Sequence, residues 1–186
     1  KVAAAPAPVA AAPAAPVDGF TAGSGNTRIK LGGFIKTVGT FSSFSEGEVA
    51  GNALGRDSYL PHQIPVSGTG KYTVNDFSAK QSRFWLNMDT TVGGHTLKAY
   101  VETDFQTATG TQGSERTTNG YNLALRRAYV QFDGLTVGQD WSTFQNTAVL
   151  PESTDFVGVT EGTTFVRQPL VRYSTPLGKG GTFHVS

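Results

Sequence analysis

The side chains best placed to do chemistry in this sequence are charged, and they recur at a spacing of two. Arg28, Lys30 and Lys36 share one parity on a first stretch, Arg83 and Asp89 on a second, and Lys98, Glu102 and Asp104 on a third. Arg127 and Asp133 follow on a fourth stretch, with Asp140 and Arg172 on two shorter ones. Residues two apart in an extended strand point to the same side, so these groups form rows on one face. A unit charge about 7 Å from a solute anion is worth roughly 0.6 kcal/mol at dielectric 80 and 2.4 kcal/mol at dielectric 20. Several such groups bias the entry of an ion without trapping it. Seven basic against five acidic residues on these rows give only a weak preference for anions. The same residues also serve simply to hydrate the face and to pair with one another.

Other chemistry finds no support. There is no cysteine, which removes disulfides, thiolate metal sites and cysteine nucleophiles. His62, His95 and His184 have no metal-ligand spacing, so neither a metal nor a cofactor is expected. The segment Ser67-Gly68-Thr69-Gly70-Lys71-Tyr72 approximates a phosphate loop but lacks its first glycine and ends on Tyr72 instead of Ser or Thr. No nucleophile elbow or His-Glu-x-x-His segment occurs. Glu102 and Asp104 could pass for a catalytic carboxylate pair, yet on a wet strand face they are more simply solvated charges. With 15 Lys and Arg against 14 Asp and Glu, nothing in the charge balance points to nucleic acid. The expectation is a protein that is not an enzyme.

The elements that must position these charges are strands. Ile29, Leu31 and Ile35 oppose the first basic row; Phe84, Leu86, Met88 and Val92 oppose Arg83, Trp85, Asn87 and Asp89. Leu97, Ala99, Val101 and Phe105 oppose the Lys98 row, and Ala128, Val130 and Phe132 oppose Arg127, Tyr129, Gln131 and Asp133. Shorter signals follow at 135–141, 168–174 and from 182 to the end, giving about seven antiparallel strands and no helical period. No run of about 18 apolar residues is present, so a transmembrane helix is excluded, but a barrel strand needs only about 9 to 11 residues with one lipid-facing side.

The connections decide between all-β architectures. Long ones at 45–80, 108–122 and 142–167 alternate strictly with tight ones at Gly93-Gly94, Asp133-Gly134 and 176–181. That rhythm fits a transmembrane β-barrel with turns on one rim and loops on the other better than a Greek-key sandwich. Phe41, Phe44, Phe105, Trp141 and Tyr173 stand where interface girdles form. Residues 1–17, rich in Ala and Pro, read as a semi-rigid linker that a turn-rich stretch extends to residue 26; residues 27–186 carry the barrel strands. The last strand begins and stops, leaving an odd strand count and an open edge, so a fragment of a larger barrel is expected. In the loop 142–167, Glu152, Asp155 and Glu161, with Arg167 at its end, would narrow the passage if the loop folds inward; an outward loop is equally open.

The stretches Ile29-Lys30-Leu31-Gly32-Gly33-Phe34-Ile35-Lys36, Leu125 to Gly134, Leu135 to Phe144 and Arg172-Tyr173-Ser174 resemble the DcaP-like outer-membrane porins. Their order and spacing are more specific than any one of them. The resemblance implies a Gram-negative outer-membrane protein in contact with lipid and lipopolysaccharide, a homotrimer of 16-stranded barrels, and passive diffusion of small anionic solutes, dicarboxylates among them. It also implies that the loop after Trp141 is an inward constriction loop and that the Ala/Pro-rich start is a periplasmic linker. The competing reading is a non-conducting barrel or a β-sandwich serving as a surface adhesin or sugar-binding module.

Overall fold

The computed structural model describes residues 20–23, 25–51, 53–57, 60–68, 70–107, 120–150, 166–178 and 180–186. The linker at 1–17 and the loop residues Glu152, Asp155 and Glu161 lie outside the described residues. Ten strands carry the fold among the described residues: β1 (Phe20–Ala22), β2 (Thr27–Phe34), β3 (Val38–Phe44), β4 (Tyr72–Ser78), β5 (Arg83–Val92), β6 (His95–Asp104), β7 (Ala124–Phe132), β8 (Leu135–Trp141), β9 (Arg167–Leu177) and β10 (Gly181–Val185). Eight form one antiparallel sheet in the order β1-β2-β5-β6-β7-β8-β9-β10, and β3 pairs with β4. Nearest-neighbour order follows the chain except where the β3–β4 hairpin intervenes, as in an up-and-down wall. β5 and β6 have 10 residues each, enough to cross a hydrocarbon layer when tilted.

The register makes the two faces unambiguous. Arg28 faces Asp89, which faces Lys98; Lys30 faces Asn87, which faces Tyr100. On the other face Ile29, Met88, Ala99 and Val130 align across four strands. The packing is inverted relative to a water-soluble domain. Among the described residues only Phe44 and Val49 are buried large or branched apolar side chains, whereas Asp104 is 0% and Asp140 3% exposed. Leu31, Leu86, Val130 and Val171 stand 44–60% exposed on the apolar face. A continuous apolar face of this kind needs a non-aqueous neighbour.

The first long connection is more structured than alternation suggested. β2 and β3 are nearly one strand, and β4 and β5 nearly another, so the β3–β4 pairing prolongs the β2–β5 ladder. The inner side of this hairpin is covered by the loop 45–71, which contains the one-turn helix α1 (Leu54–Asp57) and a 3-10 turn (Pro61–Gln63). This covering buries Phe44 and Ser42 and hides β4 from a periodicity search, because Val74, Asp76 and Ser78 face loop atoms instead of open water. It also removes Phe44 from the girdle; Phe41 and Tyr173 remain exposed. Phe20–Ala22, read above with the linker, pairs with Leu31, Lys30 and Ile29; three residues are too few to show alternation.

Candidate functional site

The polar face builds its site from strand ends. β5 begins with Arg83, β6 ends with Asp104, β7 begins with Ala124 and β8 ends with Trp141, all at the end of the sheet where the connections 105–123 and 142–166 are long. Five adjacent strands therefore bring charges together beside the long loops, and the sign alternates from strand to strand. Arg83 on β5 reaches Glu102 at 3.0 Å and Asp104 at 2.9 Å, both on β6. Arg126 on β7 grips Asp104 through Nη2–Oδ1 at 2.6 Å and Nε–Oδ2 at 2.7 Å. Arg127, also on β7, donates from Nε to Asp140 Oδ1 of β8 at 2.6 Å, with Glu102 3.7 Å from its Nη1. Asp140 in turn accepts from Arg172 of β9 at 2.6 Å.

Tyrosines support this ladder. The Tyr100 and Tyr129 rings stack with centroids 5.4 Å apart, and the Arg127 guanidinium lies 4.9 Å and 5.4 Å from them. Tyr100 donates its hydroxyl proton to Glu102 at 2.8 Å. Arg167 lies with its guanidinium 4.0 Å from the Trp141 ring, within the field of Arg83, Arg126, Glu102 and Asp104. Four guanidiniums thus share three carboxylates across β5 to β9, with Arg167 beside them. Buried ion pairs stabilise little compared with apolar residues of equal volume, so stability alone does not account for such a ladder.

The remaining charges identified from the sequence are placed apart from this cluster. Arg28, Asp89 and Lys98 sit side by side at the tight-turn end and line a polar cleft with Thr27, Thr90 and Thr96. Lys30 lies one pair further in, level with Asn87. Lys36 is in the bend before β3, its backbone N–H bonded to Ser82 Oγ at 3.0 Å. Asp133 occupies the tight turn after β7 at φ 46°. There it accepts from Thr96 N at 3.0 Å and meets His95 Nδ1 at 2.7 Å. These two contacts, the His95 bond first, hold its carboxyl below the usual carboxylate range.

Three features were not legible from alternation. Straight alternation would set Arg126 beside Ala128 on the apolar face. The β6–β7 register shifts between Glu102 and Thr103, so Arg126 is the extra residue of a bulge and its side chain joins the polar face. The adjacent Arg126-Arg127 pair was the available signal, since an arginine turned to lipid is costly, roughly 2–4 kcal/mol at the midplane and less toward the interface. The second feature is the tie between the loop 45–71 and the wall. Arg56 bonds Asp76 at 2.5 Å and the Val49 carbonyl at 2.6 Å; Lys80 bonds Asp57 at 2.7 Å, and Gln106 reaches the same carboxylate at 3.1 Å. Burial pulls the Arg56 pKa down, but the Asp76 hydrogen bond and charge, with Tyr72, outweigh it and raise it overall. The third is the close approach of Trp85 to Gly32: a Cβ at Gly32 would lie 2.5 Å from the indole Cζ2, so the ring can lie flat across β2 only because residue 32 is glycine.

An antiparallel wall with an apolar outer face, a charged inner face and long loops at one end defines a segment of a transmembrane β-barrel. The family model of the porin subfamily matches residues 1–186, and the chain belongs to that family of Gram-negative outer-membrane proteins. Its fold is similar to the crystal structure of the outer membrane channel DcaP of Acinetobacter baumannii, with a TM-score of 0.58 and 23% identity. The match covers 90% of this chain and 42% of that one, so the chain spans less than half the length of this relative. A search of curated proteins gives no match. The porin resemblance, the all-β barrel class and the outer-membrane location expected from the sequence all hold.

Proposed function

We propose that the polar face is the wall of a water-filled pore for passive diffusion of small hydrophilic solutes, with a preference for anions and dicarboxylates among them. The observation that carries this reading is the strand-alternating ladder of Arg83, Arg126, Arg127, Arg167 and Arg172 against Glu102, Asp104 and Asp140. Its excess of positive charge gives a passing anion a favourable potential, of order 0.6–2.4 kcal/mol per unpaired charge at about 7 Å. Pairing with carboxylates keeps Arg83, Arg126, Arg127 and Arg172 against the wall, so an anion is attracted without being held. Arg28, Lys30, Lys98 and Asp89 line the tight-turn end of the same pore, Lys36 lies at its long-loop end, and Asp133 sits at its rim. Solutes pass unchanged; no residue acts on them as a catalyst.

In this reading the whole protein is a homotrimer of 16-stranded barrels in contact with outer-membrane lipid and lipopolysaccharide. Residues 1–26 lead to it as a periplasmic linker, and the loop bearing Glu152, Asp155 and Glu161, ending at Arg167, forms the constriction. Planar-bilayer recording of the full-length protein tests the proposal. Stepwise conductance is expected, with a reversal potential displaced toward that of the anion under a salt gradient. A folded protein giving no steps would overturn the channel; steps with a cation-displaced potential would overturn the anion preference.

A further inference from the structure

Gln139 is a polar residue on the apolar face, where its neighbours in register are Ala128 on β7 and Pro169 on β9, and Leu135 and Val137 lie on the same side of its own strand. Its amide Nε2 donates to two backbone carbonyls, Leu125 O at 3.2 Å and Arg126 O at 3.1 Å. These are the carbonyls beside the β7 bulge: the β7–β8 ladder ends at the Ala128–Gln139 pair, and the β6–β7 register skips Arg126. In hydrocarbon no water can satisfy a carbonyl that a bulge releases. One side chain on the lipid side therefore supplies what the irregular backbone lacks. On the opposite side of the wall, the bulge turns Arg126 onto Asp104 and onto the Gln106 carbonyl.

We infer that Gln139 is a positioning residue for the pore: by holding the β7 bulge from the lipid side, it sets Arg126 on the lumen wall and so contributes to charge selectivity. The inference rests on the pore reading of the polar face. Without the Gln139 amide, the regular register becomes competitive, and that register carries Arg126 toward lipid and away from Asp104. Glu102 and Asp104 then face one guanidinium fewer.

A double-mutant cycle in the full-length protein, read as the anion-to-cation permeability ratio, tests this. Arg126→Ala is expected to lower the ratio, Gln139→Leu to lower it to a similar degree, and the double variant to fall no further than Arg126→Ala alone. Additive losses, or a Gln139→Leu channel with the wild-type ratio, would overturn the inference and leave the porin reading intact. So would an Arg126→Ala channel of unchanged selectivity. A wild-type protein without channel steps would instead bring down the porin reading. Should Gln139→Leu fail to fold, Gln139→Asn, too short to span both carbonyls, takes its place. Arg126→Cys in the otherwise wild-type barrel gives an independent readout. A charged, water-soluble thiol reagent should modify it at least tenfold faster than Val130→Cys, and equal rates would contradict a bulge that faces water.

Discussion

Asp140 shows how much a single residue decides in this wall. It lies between Arg127 and Arg172, accepts from both at 2.6 Å, and is almost wholly buried. Asp140→Asn keeps the shape and removes the negative charge, so both arginines gain field toward the lumen. The anion-to-cation permeability ratio should rise about threefold or more, the factor that corresponds to roughly 0.6 kcal/mol for one charge at high dielectric. A reversal potential measured under a salt gradient checks it. Asp133 makes a different prediction at the same scale. Its carboxyl is lowered mainly by the His95 hydrogen bond, so its contribution to stability is fully present above the unfolded carboxylate pKa of about 4 and is lost as pH falls through the lower folded value. The temperature at which the folded band is lost on a heat-modifiable gel should therefore drop from pH 5 to pH 2, and drop less in Asp133→Asn. Equal slopes would show that the His95 and Thr96 contacts do not matter to the turn.

At the scale of elements, the loop 45–71 and the hairpin β3–β4 form one unit fastened by two carboxylates, Asp57 and Asp76. Lys80 and Asp57 are largely buried, and removing one member of such a pair strands the other charge. Lys80→Met should open this loop to an external protease by roughly tenfold or more, because cleavage follows the open population and each 1.4 kcal/mol is a factor of ten. Cleavage at wild-type rate would show that the loop is held by other contacts. The main strands β5 to β8 were legible in the sequence because one face of each meets lipid and the other water, which is the condition that imposes a period of two. Tyr72–Ser78 was not, because loop atoms cover its inner side and erase the contrast. Arg126 escaped for a related reason: a bulge breaks parity at one residue, and only the cost of an arginine in lipid marks the place. The pairing of charges was legible as rows but not as partners, since which arginine meets which carboxylate depends on register between strands.

The whole molecule is best described by its inversion. Among the described residues the buried side chains are mostly polar, Glu102, Asp104 and Asp140 among them, whereas Leu31, Val130 and Val171 are exposed. That arrangement fits a wall between lipid and water, and the wall is the claim on which pore lining, selectivity and the role of Gln139 all depend. Two neighbouring residues of β7 divide it: Val130 points to the apolar face and Gln131 to the polar one. The sequence contains no cysteine, so an introduced thiol reports on its own position over these residues. The most direct measurement is the labelling rate of Gln131→Cys and Val130→Cys, each in the folded full-length protein in lipid vesicles, with a charged, membrane-impermeant thiol reagent. A wall between lipid and water gives rapid modification of Gln131→Cys, with a change in channel current, and negligible modification of Val130→Cys. Equal labelling of the two, or faster labelling at position 130, would contradict it.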